Sequence, residues 1–290
     1  MSFRDQVTTE LALRLVADQF PQWRNLSVVP VPVSGWDNKT FRLGEQLVLR
    51  LPSDVGYAAA VAKEQEWLPL LAPLLPLPIP EPVDVGAPTD DYPFAWSVIR
   101  WLDGQTVLAN PPDDLIALAE DLAAFLNALR ASPAQGAPPA GEHSFHRGGS
   151  LAHYREGALQ AFDLLAERID VAAARAVLDD ALATSWTRPP VWLHGDIAPG
   201  NLLVADGRLS AVIDFGQACV GDPACDLAIG FTLFSGDSRT AWREANGLDD
   251  DTWARGRGWA LWKAAILLKN DPSDTIAART IDDAITDLDS

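Results

Sequence analysis

Residues 194–216 read HGDIAPGNLLVADGRLSAVIDFG. His194, Gly195 and Asp196 follow the short apolar run VWL. NLLV and LSAVID then flank Asp206-Gly207, and an Asp-Gly pair between two apolar runs predicts a β-hairpin. Asn201 stands at the start of the first strand and Asp214 at the end of the second, so antiparallel pairing is expected to bring them side by side. Taken singly, Asp196 and Asn201 read as turn caps and Asp214 as the start of a loop. The joint pattern H-G-D-x4-N followed by I-D-F-G across a hairpin is far more specific, because strand, turn and strand supply the context that a motif needs.

One amide oxygen and one carboxylate suit Mg²⁺, a hard cation that takes few protein ligands and fills its remaining positions with water and phosphate oxygens. An aspartate close by, Asp196, is then placed to orient a hydroxyl and accept its proton. Metal clamp, positioned acceptor and little covalent work for the protein together describe phosphoryl transfer.

Around this stretch the chain has two characters. Residues 6–20 carry apolar residues at helical spacing. NKTFRL and QLVLRL, joined through Gly-Glu, predict a hairpin, and SGWDN before them is a turn cluster. Residues 57–72 predict a helix, PLLPLPIPEP an extended path, and FAWSVIRWL a buried strand ending at Asp103-Gly104. Beyond that, residues 113–130 form a strongly periodic helix, 131–149 a Pro/Gly/Ala loop, and about 150–168 and 171–185 two more helices. From about Pro223 the chain reads as helical. The expected order is a strand-rich region over 1–102 and a larger, mainly helical region over 103–290.

With 48% hydrophobic and 21% charged residues, the composition is that of an ordinary globular protein. WALWKAAILL is broken by Lys263 and too short to span a bilayer. The N-terminus lacks a basic region followed by an apolar core, so a cytoplasmic protein is expected. Cys219 and Cys225 make no disulfide framework, and C-x5-C is not a zinc spacing. A net charge of −18 repels nucleic acid and anionic membrane, so neither is expected as a partner. That charge is compatible with a cationic substrate, but solubility alone accounts for it.

The stretch HGDIAPGN…IDFG, with VGDPACDLA after it, resembles the aminoglycoside phosphotransferase family. The resemblance covers nearly the whole chain. It implies an α+β, bilobal protein-kinase-like fold with a small β-rich N-lobe and a larger, mainly helical C-lobe. It implies a kinase that moves the γ-phosphate of ATP or GTP to a hydroxyl of an antibiotic or metabolite. By resemblance Asp196 is the catalytic base, Asn201 and Asp214 are the Mg²⁺ ligands, His194 braces the loop, and Asp226 supports it from below. Arg50 of LVLRLP takes the place of the phosphate-holding lysine of kinases, and Glu64 looks like its helix partner, with Glu66 as rival. Arg in place of Lys is a departure, since a planar fork and a compact charge hold phosphate differently. Ser34 and the Gly35 backbone lie where the loop over the phosphates belongs, although a plain hairpin turn explains them equally well. The C=O of Arg100 and the N–H of Leu102 line up with the family's adenine-binding hinge.

Other features read more plainly. His143, His146 and His153 lie in or near the long loop without a Cys or carboxylate cluster, which favours a solvated loop over a metal site. Trp259 and Trp262 have helical spacing and read as core. Asp249–Asp251 read as a helix cap rather than an amino-sugar site. The expected partners are a nucleoside triphosphate and a small hydroxyl-bearing acceptor. Relatives with similar motifs act on choline, homoserine, methylthioribose, sugars and macrolides, so the acceptor stays open. Two competing functions remain: a nucleotide-binding protein without transfer activity, and a metal-dependent phosphoesterase. The second needs a denser His/Asp cluster than this chain offers.

Overall fold

The computed structural model describes residues 3–286 apart from Val33, Ser34 and Trp36. The chain divides into two compact units, one of residues 1–104 with Ala211–Gly216, the other of Gln105–Ser210 with Gln217–Ser290.

The first unit is built on an antiparallel sheet of β1 (Val28–Pro30), β2 (Asn38–Leu43), β3 (Leu47–Pro52), β4 (Pro82–Gly86) and β5 (Trp96–Arg100), in the order β1-β2-β3-β5-β4. The β2–β3 hairpin turns at Gly44, whose φ of +58° suits glycine. α1 (Thr9–Gln19) starts where the Thr8 side chain accepts the Leu11 N–H. It buries Leu11, Leu15 and Val16 in a core with Phe41, Leu49, Trp96 and Val98. Trp96 is fully buried because Gly86 stands opposite it; a Cβ there would lie 1.9 Å from the indole. α2 (Val55–Leu71) is capped by Asp54 and buries Val61, Glu64, Leu68 and Leu71. A glutamate in that apolar set requires a partner.

The second unit begins with β6 (Gln105–Thr106) and α3 (Leu115–Ala131), which Asp114 caps. α4 (Arg155–Leu164) and α5 (Val171–Ala183) follow. β7 (Val191–Leu193) pairs with β10 (Cys219–Gly221), and β8 (Leu202–Ala205) lies between β6 and β9 (Arg208–Val212). The turn between β8 and β9 places Asp206 and Gly207 at φ +50° and +76°, the positive pair an Asp-Gly hairpin needs. The chain ends in α6 (Ile229–Thr232), α7 (Gly236–Asn246), α8 (Asp250–Asn270) and α9 (Thr275–Thr286). α8 is the central helix and packs on α4, α5, α6 and α9.

The architecture is therefore a β-sheet N-terminal region and a helical C-terminal region, as expected. Ala211–Gly216 groups with the sheet because Val212 donates its N–H to Pro78 and Asp214 accepts from Arg50. Among the described residues no helix is long and apolar enough to cross a membrane.

Candidate active site

In the second unit the site is built on the loop after β7. His194 is fully buried. The His194 and Gly195 N–H groups each donate to Asp226 at 2.8 Å, one to each carboxylate oxygen. Gly195 has φ +86°, and a Cβ there would lie 2.8 Å from the Gln217 carbonyl oxygen, so only glycine passes. The Asp196 N–H donates to His194 Nδ1 at 3.2 Å. The Asp196 C=O accepts from Asn201 Nδ2 at 2.9 Å. Two side chains of the motif thus hold the backbone of the third.

The Asp196 carboxylate is held by a residue that the sequence reading did not select. Lys263 Nζ, on α8, donates to Asp196 Oδ1 at 2.9 Å. Among the described residues Oδ2 has no partner. Burial pushes the Asp196 carboxyl up, but Lys263, then His194 and Arg147, outweigh it and hold the group below its ordinary value. Asp226 goes the other way: full burial raises it against the opposing pull of His194, the two N–H donors and Arg130. Asp226→Asn presents an NH₂ to one of those donors. The expected cost is about 1–3 kcal/mol in chemical denaturation, with unchanged stability arguing against the brace.

In the first unit, Arg50 on β3 and Glu64 on α2 are both buried. Arg50 Nη1 donates to Glu64 Oε1 at 2.7 Å and Nη2 to Asp214 Oδ1 at 2.5 Å. The planar fork spans two carboxylates at once, a task for which an ammonium is the poorer shape. Burial works against the guanidinium's charge, but Glu64 and Asp214 prevail and raise its pKa. Glu66, the rival of Glu64, is exposed. Asp214 has a left-handed backbone, φ +67°, uncommon for a residue other than glycine. Lys63 braces the same segment by donating to the Gly216 C=O at 2.8 Å. Gly35 comes close to Asp214 Oδ2, and its C=O accepts from Arg4 at 2.7 Å. Ser34 lies outside the described residues. At the end of β5 the Arg100 N–H donates to the Glu81 C=O at 2.9 Å, and the Leu102 N–H has no partner among the described residues.

In each unit one motif residue keeps an open oxygen of the kind a hard cation takes. Asn201 spends its Nδ2 on the loop and keeps Oδ1; Asp214 spends Oδ1 on Arg50 and keeps Oδ2. Neither open oxygen has a partner among the described residues, and oxygen is what Mg²⁺ takes. No cluster of three or more His, Cys, Asp or Glu able to hold a metal occurs among the described residues.

The remaining sequence candidates are accounted for locally. His146 and His153 stack at 3.6 Å, and His143 bonds to the Pro139 carbonyl. Tyr154 stacks on Trp262 at 4.0 Å, with Arg147 over Tyr154, Trp259 and Trp262. Asp249 caps α8, and Asp250 pairs with Arg243. The missed residue, Lys263, did leave a signal: it is the one charge within the apolar run WALWKAAILL of α8, and such a cation needs a counter-charge.

A family model for the phosphotransferase enzyme family matches residues 28–259, and the chain belongs to that family. It is 27% identical over 165 residues to hygromycin-B 4-O-kinase of Escherichia coli, covering 52% of this chain and 47% of the kinase. The chain thus spans about half the length of that curated relative. Its fold is similar to that of APH(2")-IIIa in its GDP and kanamycin complex, with a TM-score of 0.70, 20% identity, and 94% and 97% of the two chains covered. It is similar also to macrolide 2'-phosphotransferase MphH of Brachybacterium faecium, with a TM-score of 0.59, 20% identity, and 95% and 98% covered.

Proposed function

We propose that this protein is a small-molecule kinase that transfers the γ-phosphate of ATP or GTP to a hydroxyl of an antibiotic or metabolite. The observation that carries the reading is Asp196: a carboxylate kept ionised, held by one oxygen and open at the other. In this reading an acceptor hydroxyl donates to Oδ2. Its oxygen bonds to the γ-phosphorus as the bond from that phosphorus to the bridging oxygen breaks. The hydroxyl proton passes to Asp196, and the nucleoside diphosphate leaves. Asn201 and Asp214 would hold Mg²⁺, which supplies charge neutralisation at the phosphate oxygens when bound. Arg50, kept in place by Glu64, is the cation for the inner phosphates. Gly35 approaches those phosphates through its backbone, and Ser34 belongs to the same loop. The open Leu102 N–H and the Arg100 C=O take the base. His194 and Asp226 act only on the loop. A cytoplasmic site of action follows from the nucleotide supply.

The ligands and substrates of the relatives, GDP, kanamycin, hygromycin B and macrolides, support a nucleotide and an alcohol acceptor of the antibiotic class. The test is transfer from Mg²⁺·ATP and Mg²⁺·GTP to aminoglycosides, macrolides, choline, homoserine and sugars, read by mass spectrometry. A phosphorylated product supports the kinase. Nucleotide binding with no product across the panel favours a binding protein of the same fold. Asp214→Ala is expected to abolish the Mg²⁺-dependent part of nucleotide binding, measured by calorimetry with and without chelator. Unchanged binding would remove Asp214 from the metal site.

A further inference from the structure

We infer that Lys263 is a positioning residue for phosphoryl transfer: it fixes the rotation of the Asp196 carboxylate and aims Oδ2 at the acceptor hydroxyl. The inference rests on the proposed role of Asp196. His194 Nδ1 and Asn201 Nδ2 bind the main chain of Asp196, at its N–H and its C=O. They hold the loop but leave the side-chain torsion free. Among the described residues Lys263 is the group that touches the carboxylate itself, at Oδ1.

The helix that carries Lys263 is suited to hold a fixed point. Asp249 caps α8 by accepting the Thr252 N–H at 2.9 Å. Arg255 on α8 donates to Asp222 at 2.7 Å, and Arg257 to the Ala284 carbonyl. Trp259, Trp262, Ala264 and Ala265 are buried. Lys263 is the polar interruption of this apolar stretch, and its stem runs out to an ammonium that meets a residue 67 positions earlier. Arg147, stacked on Trp262 at 4.7 Å, is a further positive charge that acts on Asp196.

Holding the fold together is a weak explanation for this pair. The Lys263 and Asp196 side chains are 37% and 25% exposed, and ion pairs open to water to that degree contribute little stability. Geometry is what such a pair fixes well. A carboxylate free to rotate spends much of its time with neither oxygen on the line of the incoming hydroxyl, and misplacement of that size is costly in rate.

The experiment compares the wild-type protein with Lys263→Met, Lys263→Arg and Asp196→Asn. The chain has four lysines, Lys39, Lys63, Lys263 and Lys269, so ammonium ¹⁵N–¹H correlation spectra are sparse. The signal missing from Lys263→Met identifies Lys263, and Asp196→Asn is expected to displace or broaden it. An unmoved signal in Asp196→Asn overturns the pairing. Kinetics use Mg²⁺·ATP with water as acceptor, so the result does not depend on finding the alcohol. Lys263→Met is expected to lower kcat about 30-fold or more, with KM for ATP within about two-fold and Tm within about 3 °C. Lys263→Arg should recover most of the loss. Should Lys263→Met fold poorly, Lys263→Gln takes its place in both arms. Wild-type kcat in Lys263→Met, beside loss in Asp196→Asn, overturns the inference and leaves the kinase reading intact. Wild-type kcat in Asp196→Asn overturns the role of Asp196 and the inference with it.

Discussion

Asp196→Asn is expected to lower phosphate transfer about 10²–10⁴-fold, the range a positioned general base contributes, while nucleotide affinity stays within about two-fold. The substitution is nearly isosteric. It spares the backbone bonds of the loop, where the Asp196 N–H meets His194 and its C=O meets Asn201. What it removes is a negative charge and an acceptor for the hydroxyl proton. It also leaves Lys263 Nζ facing an amide instead of a carboxylate. The carboxyl lies below its ordinary value, so in the wild type it is ionised throughout the neutral range. Linkage has the same sign. A depressed carboxyl adds stability above its unfolded value, and that contribution is lost as pH falls through the folded one. Steady-state kinetics on the acceptor found by the panel, beside calorimetric titration of Mg²⁺·ATP, separate the two effects. Retained turnover would end the assignment of Asp196.

The loop that carries Asp196 was legible in the sequence because each of its residues has a local job. Gly195 turns the chain at positive φ, Asn201 reaches back five residues, and Asp206-Gly207 turns a hairpin. Such contacts span a few positions and leave a spacing. The Arg50–Glu64 contact spans fourteen, and it was reached through the family pattern of a strand residue paired with a helix residue. Lys263 was not read as part of the site. Its partner lies 67 positions away, and only packing brings α8 to the loop. The short strands β1, β4, β6 and β10 were missed for a related reason. β6 has two residues and β10 three, too few for a period. β4 opens on Pro82 and has a register shift there, so the proline-rich text around it hides a strand. Conversely, Trp259, Trp262 and Asp249 were read as core and cap, and the structure uses them so.

Arg50→Met is expected to destabilise the protein by about 3–5 kcal/mol, the cost of removing one partner from a buried ion pair. Arg50 and Glu64 are 8% and 5% exposed, so the Glu64 carboxylate would lose its counter-charge where water cannot replace it. Asp214 would lose its Arg50 bond as well, but it is better exposed and less affected. Arg50→Lys should fall between, because one ammonium replaces a fork that reaches Glu64 and Asp214 with separate nitrogens. The double variant Arg50→Met/Glu64→Met should recover much of the lost stability, since an apolar pair of similar volume no longer strands a charge. Urea denaturation of the wild type, Arg50→Met, Glu64→Met and the double variant measures the cycle, with Arg50→Lys read beside them. A single variant as stable as the wild type would show that the pair is not formed in solution. The double variant then isolates function from folding. If Arg50 also serves the inner phosphates of the nucleotide, the refolded core of Arg50→Met/Glu64→Met will bind Mg²⁺·ATP about 10-fold or more weakly, the loss of one charge-assisted contact. Full affinity in that well-folded protein would confine Arg50 to bracing the sheet, the helix and the Asp214 loop.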